Sequence, residues 1–205
     1  MRLLPSGSTA LLAELDTLED VLALYAALAD APPEGVVDIV PAARTVLLVT
    51  DPARTTLAAV ADTVRRTTPR PGAQQGGDTL ELPVHYDGAD LAEAAGLLSL
   101  SAAELVQRHT GAEWRVAFCG FAPGFGYLTQ PGAAWDVPRR STPRTRVPPG
   151  SVALAGEFSG VYPRESPGGW QLIGRTDVAV FDLDRDPAAL LRPGVRVRFV
   201  DADRR

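Results

Sequence analysis

The 205-residue chain contains no lysine and no asparagine, one cysteine, one methionine and two histidines, and each shortage excludes some chemistry. Without lysine it forms no Schiff base, has no lysine general base and cannot supply the lysine of a P-loop. Without asparagine it carries no N-glycosylation acceptor. Cys119 alone makes no internal disulfide, and one cysteine with His85 and His109 is too few for a Cys/His zinc site, so no metal is expected. No apolar run reaches the roughly 18 residues of a membrane span. Met1-Arg2-Leu3-Leu4-Pro5 lacks the apolar core of a signal peptide, so a cytoplasmic location is expected and no membrane partner.

All 20 basic residues are arginine, against 25 acidic ones, for a net charge of −5. Residues 1–100 hold 6 Arg and 14 acids, whereas residues 101–205 hold 14 Arg and 11 acids, so an anion-binding surface belongs to the second half. The overall acidity argues against nucleic acid as a partner, because that affinity comes from neutralising phosphates.

Spacing predicts an α+β chain in two domains. An apolar run over Thr9 to Leu15 precedes a helical pattern (Leu18, Val21, Leu22, Tyr25, Leu28) that Pro32-Pro33 stops. Two β-branched runs follow, residues 36–40 and 45–49, and Asp51-Pro52 opens a second helix bearing Leu57, Val60, Ala61 and Val64. This order predicts a small split βαβ (ferredoxin-like) domain over residues 1–78, completed by a later strand. Residues 67–78 are rich in Pro, Gly and polar side chains and read as its linker. From 79 to 205, a strand at 79–86 and a short helix at 89–98 precede a helix with a capping box, Ser101 with Glu104, that ends near His109. Short strands between Gly/Pro turns follow (115–121, 151–155, 160–162, 170–174, 178–181 and 195–200), a pattern that suggests a β-barrel or sandwich.

Three stretches carry chemistry. Gly120-Phe121-Ala122-Pro123-Gly124-Phe125-Gly126 sets glycines among aromatic rings after a strand. It reads either as a pocket wall, with backbone amides facing an anion and Phe121, Pro123, Gly124 and Phe125 lining the floor, or as a crossover plugging the barrel. Arg139, Arg140, Arg144 and Arg146 fall within eight residues stiffened by prolines, and pre-placed guanidinium forks suit a small carboxylate or a phosphate; a solvated basic loop is the alternative. Gln171 and Arg175, four apart on a strand, are expected on one face as pocket contacts. Glu165 is a candidate base and His109 a candidate acid/base, set against a surface turn and a packed helix end respectively. Cys119, beside Phe118 and Phe121, reads as a small apolar residue. No self-sufficient active site is visible.

In order and spacing the chain resembles the family of 5-oxoprolinase B subunits, also known as allophanate hydrolase subunit 1 and as sporulation-kinase inhibitor-like proteins. The shared pieces include Leu82-Pro83-Val84-His85-Tyr86-Asp87-Gly88, Asp90-Leu91, His109-Thr110, Gly120 to Leu128, Pro138-Arg139-Arg140, Pro143-Arg144, Gly150-Ser151-Val152-Ala153, Ser166-Pro167-Gly168-Gly169-Trp170 and Gly174-Arg175-Thr176. Phe158-Ser159, Pro149 and Val195 depart from the family pattern. The resemblance implies a cyclophilin-like C-terminal barrel. It implies one component of an enzyme, inactive alone, that hydrolyses 5-oxo-L-proline to L-glutamate together with a homologous barrel protein, the C subunit of the complex, and with its A subunit. ATP is used at the level of the complex. The resemblance also leaves open a carboxyltransferase-type component of a urea/allophanate amidolyase system, or a binding module that inhibits a histidine kinase.

Overall fold

The computed structural model describes residues 1–72, 79–130, 132 and 135–204 and divides into two compact units, Met1–Gly76 and Gly77–Arg205. Residues 73–78 of the expected linker lie outside the described residues.

In the first unit, β1 (Arg2–Ser6), β2 (Ala10–Glu14), β3 (Val36–Pro41) and β4 (Thr45–Thr50) form an antiparallel sheet in the order β1-β2-β4-β3. Two helices, α1 (Leu18–Asp30) and α2 (Leu57–Arg66), cover one face of it, burying Val21, Leu24, Leu28, Val60 and Val64 against Leu11, Ala13, Val46 and Leu48. Thr17 caps α1 by accepting the Asp20 amide. Two expectations are corrected. The fourth strand is β1, from the start of the chain, and not a later strand: a hairpin pairs it with β2, whereas the next strand along the chain is taken by the second unit. The second helix starts at Leu57, not at Asp51-Pro52, because the Asp51 carboxylate accepts the Ala53 amide and closes a turn, leaving Thr56 to cap the helix through Ala59.

The second unit runs β5 (Thr79–Val84), α3 (Leu91–Leu97), α4 (Ala102–Thr110), β6 (Trp114–Cys119), β7 (Gly126–Thr129), β8 (Arg144–Val147), β9 (Ser151–Ala155), β10 (Phe158–Val161), β11 (Ser166–Gly168), β12 (Gln171–Arg175) and β13 (Arg196–Asp201). Seven strands form one sheet, β12-β9-β10-β7-β6-β13-β5, antiparallel except for the β13/β5 pair. Its two edges meet where His85 and Arg175 exchange backbone hydrogen bonds of 2.8 and 2.9 Å, so the sheet nearly closes into a barrel. β8 and β11 form a separate two-stranded sheet, and the expected strand at 178–181 is irregular backbone with one bridge, Phe181 to Ala189. The capping box on α4 forms as its sequence predicts.

Alternation gives the barrel wall two apolar faces. On β9, Val152 and Leu154 join the interior with Trp114, Val116, Leu128, Ile173, Val197 and Phe199, while Ala153 and Ala155 pack on the other side with Phe125, Tyr162 and Trp170. All five β9 residues are therefore buried.

The barrel seam is glycine-dependent. A Cβ on Gly88 would lie 2.3 Å from the Ile173 carbonyl carbon, and one on Gly174 would lie 2.5 Å from the His85 oxygen, backbone that cannot yield without opening the closure. Gly96 in α3 has open space around it. Gly88→Ala and Gly174→Ala are expected to lower stability by about 3 kcal/mol or more, whereas Gly96→Ala raises it by about 0.5–1 kcal/mol, read as midpoint shifts in denaturant unfolding.

Candidate functional site

The central charged residue of the second unit is one that sequence reasoning left without a role. Asp90, 2% exposed at the N-terminus of α3, accepts four hydrogen bonds: Arg140 Nη1 at 2.7 Å, Arg144 Nη2 at 2.7 Å, Arg144 Nη1 at 2.8 Å and the Leu172 amide at 2.8 Å. Burial alone would raise this carboxyl. The Arg144 and Leu172 hydrogen bonds and the charges of Arg144 and Arg140 outweigh burial and hold it below the usual carboxylate range. Arg140 and Arg144, expected to face a ligand, are thus drawn together onto a carboxylate of the chain itself. Arg146 is exposed and pairs with Glu165 at 2.7 Å, so the candidate base is the partner of an arginine on the surface.

Arg139 differs from its three neighbours. It is exposed, no acid pairs with it among the described residues, and its guanidinium carbon stands 6.0 Å from the centroid of the Trp170 ring. Trp170 belongs to an aromatic cluster on the outer wall: Phe125 meets it edge-on at 5.4 Å and Tyr127 at 5.5 Å, and Phe125 meets Tyr162 at 5.4 Å. Burial raises the Tyr127 and Tyr162 phenols, and the Arg139 charge partly offsets it in both. Gly160 lets the rings lie against β10, since a Cβ there would be 2.9 Å from Phe125.

The glycine loop crowns this cluster. The Ala122 amide donates to the Gly120 carbonyl at 2.7 Å around Phe121, whose φ of +66° makes a γ-turn of the rarer, strained hand. Pro123 and Gly124 (φ +81°) then occupy the centre of a turn closed by the Phe125 amide on the Ala122 carbonyl, and the Gly120 amide bonds the Phe125 carbonyl. The amides of Gly120, Ala122 and Phe125 are spent within the loop. Of the two readings of this loop, pocket wall or crossover, these three amides are not offered to an anion. What the loop presents is a side chain. Phe121 is 57% exposed, edge-on to Phe125 at 5.3 Å and to Tyr162 at 6.1 Å.

The remaining candidates separate. Gln171 is buried, donating to the Pro138 carbonyl at 3.3 Å, whereas Arg175 is exposed and bonds Asp87 and Asp177. They do not share a face because β12 carries a bulge between Leu172 and Gly174, and one extra residue reverses the alternation. His109 is fully buried, stacked on Phe199 at 4.3 Å and held between the Tyr86 hydroxyl (2.8 Å) and Ser159 Oγ (3.0 Å). Burial pushes its pKa down to about 3, so it is a neutral packing residue without access to substrate. Cys119 donates to the Leu191 carbonyl, and burial pushes its thiol up to about 11, as suits an inert residue. A cavity of about 260 Å³ bounded by Tyr86, Leu91, Val106, Asp201, Asp203 and Arg204 touches none of the loop arginines. Among the described residues, no three Cys, His, Asp or Glu side chains are grouped to hold a metal.

The nearly closed barrel is that of a carboxyltransferase-type domain: the chain belongs to the family of carboxyltransferase domains, subdomains C and D, whose model matches residues 1–191. It is 49% identical over 124 residues to the B subunit of 5-oxoprolinase from Escherichia coli O157:H7, covering 59% of this chain and 57% of that protein. The chain thus spans less than two thirds of the length of the curated relatives it matches. The crystal structure of TTHA0988 superposes with a TM-score of 0.77 at 38% identity, covering 95% of this chain and 40% of that one. The Kluyveromyces lactis urea amidolyase shares the fold at 18% identity, with a TM-score of 0.76 over 97% of this chain and 14% of its own length.

The buried His109 makes stability depend on pH. Its value near 3 lies below the roughly 6.5 of an unfolded histidine, so on acidification the unfolded chain takes up a proton that the folded chain refuses. The resulting stability is complete above about pH 6.5 and falls by about 1.4 kcal/mol for each pH unit below it. Urea unfolding between pH 7 and 5 is expected to show this slope in the parent chain and to lose it in His109→Gln.

Proposed function

We propose that the chain is the B subunit of an ATP-dependent 5-oxoprolinase, inactive alone, and that it works with the A and C subunits to hydrolyse 5-oxo-L-proline to L-glutamate in the cytoplasm. The observation that carries this reading is the 49% identity to a protein of that name. The site agrees with shared labour. The two candidate acid/base residues are a buried neutral histidine and a glutamate paired on the surface. ATP is therefore assigned to the partner subunits, and this chain's part is to bind and orient the substrate carboxylate at the arginine-aromatic wall and to keep water from it. The same reading assigns the second unit to the cyclophilin-like barrels and the first to a split βαβ arrangement whose outer strand has moved to the chain start, with the boundary between them inside residues 67–78.

A second reading is favoured by the family itself. Carboxyltransferase chemistry of the urea/allophanate kind fits the matched domain, and the likeness in fold extends to a urea amidolyase. Neither reading puts biotin on this chain, which has no lysine to carry it.

Reconstitution separates the two. With purified A and C subunits, glutamate release from 5-oxoproline is expected to require ATP and all three proteins. Full activity of the other two proteins in the absence of this chain overturns the proposal. Turnover of urea with a biotin carrier, and none of 5-oxoproline, selects the carboxyltransferase reading.

A further inference from the structure

The four arginines of the loop do two different jobs, and the geometry points to Arg139 as the one that receives a ligand carboxylate, while Asp90 reserves Arg140 and Arg144 for the framework. The inference rests on the proposed function only for the identity of the ligand.

Asp90 is saturated. Both of its oxygens are taken by two guanidinium groups and a backbone amide, and Glu93 stands 3.8 Å from Arg140 Nη1, so two cations face two acids. Arg144 gives both of its Nη groups to Asp90 and Arg140 gives Nη1, so a ligand carboxylate taking those donors would have to displace a buried, four-bonded one, which is costly to leave unpaired. Arg146 is already met by Glu165. Arg139, adjacent to the anchored Arg140, has no acid partner among the described residues.

Its backbone is nevertheless anchored. The neighbouring Arg140 backbone is fixed by its amide on the Gly169 carbonyl at 2.8 Å, and the Arg139 guanidinium stands over the Trp170 ring. A guanidinium beside an aromatic ring and without an acid on it keeps its forked N–H donors free to bind a carboxylate through two parallel hydrogen bonds. Against the Tyr162 ring stands Phe121, more than half exposed although aromatic and held outward by a strained γ-turn. An exposed strained ring near a cation with no acid partner among the described residues suits a ligand with a carboxylate head and a small ring with an apolar methylene edge, such as a carboxylated five-membered lactam.

The test follows the arginine Nε–H resonances of the full chain, labelled with ¹⁵N-arginine and assigned by Arg139→Gln, Arg140→Gln and Arg144→Gln. The chain is titrated with 5-oxo-L-proline, with acetate, and with 2-pyrrolidinone, the same ring without the carboxylate. Arg139 is expected to shift with the two carboxylates and not with 2-pyrrolidinone, while Arg140 and Arg144 stay in place. Shifts confined to Arg140 and Arg144, or none at any arginine up to about 50 mM ligand, overturn the assignment. A response to acetate but not to 5-oxoproline keeps the receptor and discards 5-oxoproline as its ligand. In the reconstituted complex, Arg139→Gln is expected to raise KM for 5-oxoproline about tenfold or more with little change in kcat, and Arg139→Lys to recover part of it; an unchanged KM in an active complex overturns the inference. A wild-type complex inert toward 5-oxoproline sinks the proposed function and leaves the titration to judge Arg139.

Discussion

One buried carboxylate organises the second unit. Asp90 stands where α3 leaves the barrel, and its four hydrogen bonds tie together that helix, the loop of Arg140, β8 through Arg144 and β12 through the Leu172 amide. A buried charge is tolerated only when paired and fully hydrogen-bonded, so the acid and the two arginines stand or fall together. The pair of arginines in turn sets the path of the chain on either side of it, including the position of Arg139. The arrangement of the proposed ligand face is therefore a consequence of satisfying one carboxylate remote in sequence from that face.

The barrel wall supplies the other constraint. Because β9 and its neighbours are apolar on both sides, the outer face needs a cover of its own, and the aromatic rings of Phe125, Tyr127, Tyr162 and Trp170 provide it. Rings of that size fit against backbone only where side chains are absent, hence Gly160 beneath Phe125 and Gly168 beneath the Tyr162 hydroxyl. The Pro-Gly pair at 123–124 serves the same end by turning the loop sharply enough to set Phe121 above the cluster. Gly160 and Gly168 thus serve ring packing, and Gly124 a tight turn.

Much of the architecture was legible. The two helices of the first unit, the capping box at Ser101 and Glu104, and the series of short strands after Trp114 are local patterns, and local patterns are written in the sequence. The strand at Arg2–Ser6 was missed because Leu3-Leu4-Pro5 is too short to show a period, and Val178–Phe181 was overread because a short apolar run says nothing of whether a partner strand is present. Gln171 and Arg175 were placed on one face by counting residues, and a bulge invisible to counting separated them.

Composition alone determined that this chain has no lysine chemistry, no disulfide and an arginine-rich second half, because those statements depend on which residues exist and not on where they lie. Motif order showed that the Gly-Phe loop and the arginine loop belong to one recognisable pattern. Which arginines are engaged was decided only by tertiary structure: Asp90 lies 50 residues from Arg140 and 54 from Arg144, and such an ion pair exists only after the barrel has brought the segments together. The same holds for His109, whose protonation is set by burial among Trp114, Trp135 and Phe199, an environment that the folded chain creates and no neighbouring residue announces.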